Sequence, residues 1–149
     1  MNPDHAFIAS FLRGGGSPAR IVTNPVANAL NAMLLAADVS GSVTVAFEAG
    51  RQFLQGGQVL QGGILTVMLD FAMAFAAQAI LPAEDAVATA TATANLNISI
   101  LRPASAGGYR AIGRVVKRGR TLIFGSAELH NNDGVMVASS TGVMAVIRT

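Results

Sequence analysis

Gly62-Gly63-Ile64-Leu65-Thr66-Val67-Met68-Leu69-Asp70-Phe71-Ala72-Met73-Ala74-Phe75-Ala76-Ala77-Gln78-Ala79-Ile80-Leu81-Pro82 is the stretch that decides the fold. Its apolar side chains fall on every side of the helical repeat, so the spacing predicts a helix from Gly62 to Leu81 that is buried nearly all round. Two glycines open it and Pro82 closes it. Asp70 sits near its centre, and a carboxylate at mid-membrane costs roughly 2.5–3.5 kcal/mol. The run therefore reads as the core helix of a soluble domain.

The pattern changes after Pro82. From Ala88 to Leu101 the even positions are Ala88, Ala90, Ala92, Ala94, Leu96, Ile98 and Ile100, and the odd ones are chiefly Thr, Asn and Ser. This period of two predicts a long strand with one apolar and one polar face. Three more strands follow: Tyr109 to Val116 after Gly107-Gly108, Thr121 to His130 after the Arg118-Gly119 turn, and Val135 to Ile147 after Asn131-Asn132-Asp133-Gly134. These four read as a meander.

Upstream, Asn2-Pro3 and Asn24-Pro25 are each a helix cap followed by proline at the first helical position. The first helix runs through Phe7, Ile8, Phe11 and Leu12 and ends in a Gly14-Gly15-Gly16 hinge. The second runs through Val26 and Leu30 toward Met33. Leu34 to Val39 and Ser42 to Glu48 read as two strands, and residues 49–60 as a Gly- and Gln-rich loop. One long helix wrapped by a curved antiparallel sheet, with short N-terminal helices, is an α+β arrangement. The reading divides the chain into residues 1–23, a helix and linker, and 24–149, one domain.

Composition narrows the function. The chain has 149 residues, 52% hydrophobic and only 12% charged, with a net charge of +2. High apolar content excludes disorder, and so small a charged surface points to an oligomer. Without cysteine there are no disulfides, thiolate metal sites or cysteine nucleophiles, and two histidines exclude a zinc site of several imidazoles. One tyrosine and no tryptophan leave little to stack nucleic-acid bases. The N-terminus lacks the basic and apolar regions of a signal peptide, so no membrane association and a cytoplasmic location are expected.

Asp70, the one ionisable group of the long helix, is the sharpest chemical feature. In an apolar setting it needs a partner or an open site, and Thr66 lies one turn away on the same face. The alternative is a helix residue bonded to a neighbouring chain at an oligomer interface. Gly62 and Gly63 leave the amides at the helix start open to a ligand oxygen, as an oxyanion hole requires; taken alone, a flexible loop with a glycine cap is the better reading. Arg114, Lys117, Arg118 and Arg120 crowd one hairpin turn, either as a phosphate contact or as a solvated turn. His5 and His130 lack the Gly-x-Ser-x-Gly elbow of a catalytic triad.

Taken in order, these residues resemble a known family. Gln61-Gly62-Gly63 through Asp70 is similar to the His-Gly-Gly…Asp segment of hotdog-fold acyl-CoA thioesterases of the PaaI-like, phenylacetic acid degradation type. The likeness continues through Asn97 to Ala104, through Val116-Lys117-Arg118-Gly119-Arg120-Thr121 and into the final strand. The resemblance implies homodimers with shared active sites, often paired into homotetramers. It implies that Asp70 is the catalytic general base or nucleophile and that Gly62 polarises the thioester carbonyl, supported by Gly63. By the same resemblance Gln55 orients the water or thioester, and Thr93, from the other chain, helps place the nucleophile. Gln61 stands where the family usually has histidine, and Gln58 where it more often has glycine. Thr66 and the turn Lys117, Arg118, Gly119 and Arg120 become substrate and coenzyme A contacts. No cofactor is implied, because coenzyme A enters as part of the substrate.

Three other readings compete. A non-catalytic acyl-CoA or acyl-carrier binding protein is favoured by Gln61 and opposed by Asp70. A hotdog hydratase needs a histidine near the aspartate, and none lies between His5 and His130. A purely structural module leaves the Gly-Gly…Asp arrangement without a role.

Overall fold

A computed structural model describes residues 2–82 and 89–148. The expected start of the long strand at Ala88, and the outermost residues of the two expected segments, lie outside the described residues. In chain order the elements are α1 (Pro3–Arg13), β1 (Ala19–Arg20), α2 (Pro25–Ala29), β2 (Met33–Asp38), β3 (Ser42–Ala49), a 3-10 turn (Arg51–Phe53), α3 (Gly62–Ala79), β4 (Thr89–Ile100), β5 (Gly107–Arg118), β6 (Leu122–Asn131) and β7 (Met136–Arg148). Both Asn-Pro signals act as read. The Asn2 side chain accepts from the Asp4 and His5 amides, and that of Asn24 from the Val26 and Ala27 amides. The second helix does not reach Met33: Asn31 turns left-handed at φ 50°, and Met33 begins β2.

All seven strands form one antiparallel sheet in the order β1-β2-β3-β5-β6-β7-β4. This corrects the expected four-strand meander. Only β5, β6 and β7 meander, while β4 crosses to the far edge and pairs with β7. Its alternation is also not what the sequence promised. Thr93 pairs with Met144 but Asn95 with Val143, so Ala94 bulges and the phase of the strand shifts. Above the bulge the odd residues Thr91 and Thr93 face α3, and below it the even residues Leu96 and Ile98 pack on the core.

The sheet wraps α3, which touches β3 through β7 as well as α1. Gly63 is exposed and Thr66, Val67, Asp70 and Ala74 are partly exposed along one stripe; Gly62 and Ile64 of the first turn are also partly exposed, and the other residues of the helix are buried. Among the described residues α3 alone is long and apolar enough to cross a membrane, but it is the core helix of this domain. Helix and sheet approach closely because glycines face it. A Cβ on Gly113 of β5 would stand 2.1 Å from the Ala72 carbonyl oxygen, and one on Gly142 of β7 3.2 Å from Met73 Cε. Phe71 and Phe75 stack at 4.3 Å between rings, joined by Phe7 of α1 and Phe47 of β3. Ile8 and Ile21 are fully buried, which packs the N-terminal segment onto the same core.

Candidate active site

Asp70 lies halfway along α3, half-buried, and accepts a 2.6 Å hydrogen bond from the Thr93 hydroxyl. The Ala94 bulge is what turns Thr93 toward the helix. Both partners of this bond lie on one chain, Asp70 on α3 and Thr93 on β4. Thr66 is not Asp70's partner, because its hydroxyl donates to the Gly62 carbonyl oxygen at 3.0 Å. Asp70 and Thr93 line a cleft of about 370 Å³.

One wall of that cleft comes from the two asparagines the sequence offered only as helix caps, together with Asp4, which the sequence did not single out. Asp4 accepts from Thr23 Oγ1 at 2.9 Å and from Asn24 Nδ2 at 3.0 Å, tying the starts of α1 and α2 together. Asn2, Asp4 and Asn24 all line the Asp70 cleft, together with the apolar Val67, Phe71 and Phe75. Sequence spacing gives no sign of this, since Asp4 and Asp70 are distant in the chain. Gln78 also lines the cleft; the signal available was a second polar residue eight positions after Asp70, on the same face.

The start of α3 forms a separate region. Gln61 is its N-cap and makes no side-chain cap bond, so the first amides of the helix stay open at Gly62 and Gly63. Leu60 N donates to Ala104 O at 2.7 Å and Gln61 N to Phe53 O at 3.0 Å, which fixes where the helix begins. Gln55 is exposed, and its side-chain oxygen accepts from the Gly57 amide. Gln58 takes φ 63°, a left-handed conformation that costs a residue with a Cβ about 1 kcal/mol or more, and Arg51 bonds its side chain at 3.3 Å. The position at which the resemblance expects glycine is thus one whose backbone favours it.

Within one chain these groups do not converge. Gly62 and Asp70 are eight residues apart, or about 12 Å along the helix axis, too far for both to touch one carbonyl. The basic turn lies at the opposite end of α3 from Gly62. Arg118 Nη1 donates to the Ile80 carbonyl oxygen at 3.0 Å, Lys117 and Arg120 are exposed, and Gly119 closes the turn through its amide on Leu122 O at 2.7 Å.

A long helix wrapped by a curved antiparallel sheet, with a carboxylate on the helix facing a cleft, defines a hotdog-fold protein. Residues 57–138 match the family described as Thioesterase superfamily. A relative from Saccharolobus solfataricus, named as an esterase, is 30% identical over 109 residues, covering 73% of this chain and 74% of its own length. The chain belongs to the Thioesterase superfamily. Among solved structures, a Ralstonia eutropha protein named as a phenylacetic acid degradation-related thioesterase is 33% identical, covering 93% of this chain and 98% of its own at a TM-score of 0.77. The Escherichia coli PaaI protein, from the phenylacetic acid degradation operon, superposes at a TM-score of 0.76 with 23% identity, over 99% of this chain and 96% of that one.

Proposed function

We propose that the protein is a cytoplasmic acyl-CoA thioesterase of the PaaI-like type, working as a homodimer with shared active sites and assembling into a homotetramer. The observation that carries this reading is the Asp70 carboxylate held by Thr93 in an open cleft, on the fold of a thioesterase family. Asp70 takes a proton from the water that attacks the thioester carbonyl carbon, or attacks that carbon itself. Negative charge gathers on the carbonyl oxygen at the Gly62 amide, the carbon–sulfur bond breaks, and the sulfur takes the proton that Asp70 acquired or one from solvent water, so that coenzyme A leaves as the thiol; where Asp70 is the nucleophile, water then hydrolyses the acyl–Asp70 anhydride to the free acid. Gln55 and Gln61 flank that amide, and Gly63 and Thr66 shape the helix start around it. This chemistry asks for no cofactor.

The 12 Å between Gly62 and Asp70 supports a site completed by a second subunit, one chain giving Gly62, Gln55 and Gln61 and the other Asp70 and Thr93. β4, at the sheet edge, has one face of its ladder free to pair with a partner's β4. Half-exposed Leu122, Phe124 and Ile147 on the outer sheet are the surface offered to tetramer formation.

Steady-state release of thiol from short, aryl and long-chain acyl-CoAs tests the reading. Wild-type turnover should fall about 10²–10⁴-fold in Asp70→Asn, the range ascribed to a positioned general base. Equal rates in both proteins would remove Asp70 from the mechanism. Binding of acyl-CoA without any turnover by the wild type would establish a non-catalytic binding protein instead.

A further inference from the structure

Gln78 is only 5% exposed, yet it lines the cleft that holds Asp70. Its Nε2 donates to Thr91 Oγ1 at 3.2 Å, while its buried Oε1 meets no donor among the described residues. A buried acceptor left unmatched is costly, and at the wall of a cleft it marks a place where a ligand brings the donor. Gln78 is also the one residue shared by this cleft and a second cavity of about 420 Å³ that reaches Ile80. The carbonyl of Ile80 is the one that holds Arg118 of the basic turn. In the other direction the Asp70 cleft adjoins, through shared Val26 and Val67, a pocket whose lining is apolar throughout.

Along α3 the order is therefore apolar pocket, carboxylate, orphaned amide oxygen, cationic turn. A coenzyme A thioester has the same order: acyl group, thioester carbon, a pantetheine arm with two secondary amides, and phosphates. We infer that Gln78 is a positioning residue for the pantetheine arm, its Oε1 accepting the N–H of the amide farther from sulfur. An extended chain advances about 1.2 Å per bond, which puts the nearer amide nitrogen about 5 Å from the thioester carbon and the farther one about 10 Å. Gln78 lies about 12 Å beyond Asp70 along the axis, and helical side chains lean back toward the N-terminus, so the farther amide meets it. This assignment rests on the acyl-CoA thioesterase reading.

The test compares one acyl group carried on pantetheine and on N-acetylcysteamine, using the full-length protein. The first carrier has both amides and the second only the nearer one. Neither has phosphates, so the basic turn does not enter the comparison. The wild type is expected to favour the pantetheine thioester about tenfold or more in kcat/KM. In Gln78→Leu that preference should fall about tenfold, mainly through KM. If Gln78→Leu does not fold, Gln78→Asn, which withdraws the amide by one methylene, should lower the same ratio at least about threefold. A wild-type preference below twofold, or a preference that survives in the variants, overturns the assignment. If the wild type hydrolyses neither of these nor the matching acyl-CoA, the thioesterase reading fails separately. Calorimetric affinities for the matching S-alkyl thioethers then decide the role of Gln78: a pantetheine preference lost in Gln78→Leu supports it, and equal affinities overturn it.

Discussion

Replacing Gly113 with alanine adds one methyl group to β5, directly beneath α3. The new Cβ would lie 2.1 Å from the Ala72 carbonyl oxygen, 2.4 Å from its carbonyl carbon and 2.9 Å from Met73 N. All three are main-chain atoms of the helix, so no side-chain rotation relieves the clash. Restoring an ordinary contact of 3.4 Å means a retreat of about 1.3 Å, the difference between 3.4 and 2.1 Å. The helix cannot retreat alone, because Met73 also packs close to Gly125 and Gly142. A gap of 0.5–1 Å already forfeits a quarter to a half of each dispersion contact, and overpacking ordinarily costs about 1–3 kcal/mol. We expect the upper end, about 3 kcal/mol, which for a chain of this size lowers Tm by about 6–12 °C. Urea unfolding with an unchanged slope measures it. Gly56→Ala, where an added Cβ meets nothing within 4 Å, is the control and should change little. Because Ala72 is two residues from Asp70 while Thr93 sits on the sheet, the 2.6 Å bond between them should stretch as well, and turnover should fall alongside stability. A Gly113→Ala protein with wild-type Tm would refute the claim that this glycine sets the spacing of helix and sheet.

Two further outcomes follow from caps and turns. Asn24→Ala removes the α2 cap and the amide donor to Asp4, and should cost about 1 kcal/mol by chemical denaturation while loosening the wall of the Asp70 cleft. At the β2–β3 turn, the side-chain hydrogen bond from Ser40 holds the Asp38 carboxyl below its ordinary value of 3.8, helped by the Ser42, Ser40 and Gly41 amides. A lowered folded-state value means stability that is present above the unfolded pKa and lost as pH falls through the folded one. The wild type should therefore exceed Asp38→Asn in Tm at neutral pH and lose that margin below pH 3.8; a margin independent of pH would show that the charge contributes nothing.

The helix, its two glycines, the N-terminal caps and most strand limits were legible, because each depends on short-range signals: periodicity, Asn-Pro capping and Asn-Asn-Asp-Gly turn chemistry. The place of β4 in the sheet was not. Strand order is set by which edge the chain meets after α3, and no local pattern encodes that. The bulge was hidden for a different reason. Alanine suits either face, so Ala90, Ala92 and Ala94 continue a regular alternation through the point where the backbone breaks it. For the candidate site, Asp70 stood out as a lone carboxylate, and Thr93 came only through the family resemblance. The contributions of Asp4, Asn24 and Gln78 depend on α1, α2 and β4 meeting over one helix face, which only the folded chain reveals.

The bulge at Ala94 also bears on how the open edge of the sheet resists aggregation. β4 is twelve residues long, lies at the edge of the sheet and contains neither a charged residue nor a proline. Such an edge is a template for uncontrolled strand addition, and proteins usually blunt it with lysine, proline or a covering loop. Here the device within the strand is the extra residue, which interrupts the row of donors and acceptors and twists it away from a flat ladder. Within the strand itself, protection of that edge against aggregation rests largely on the backbone of one alanine.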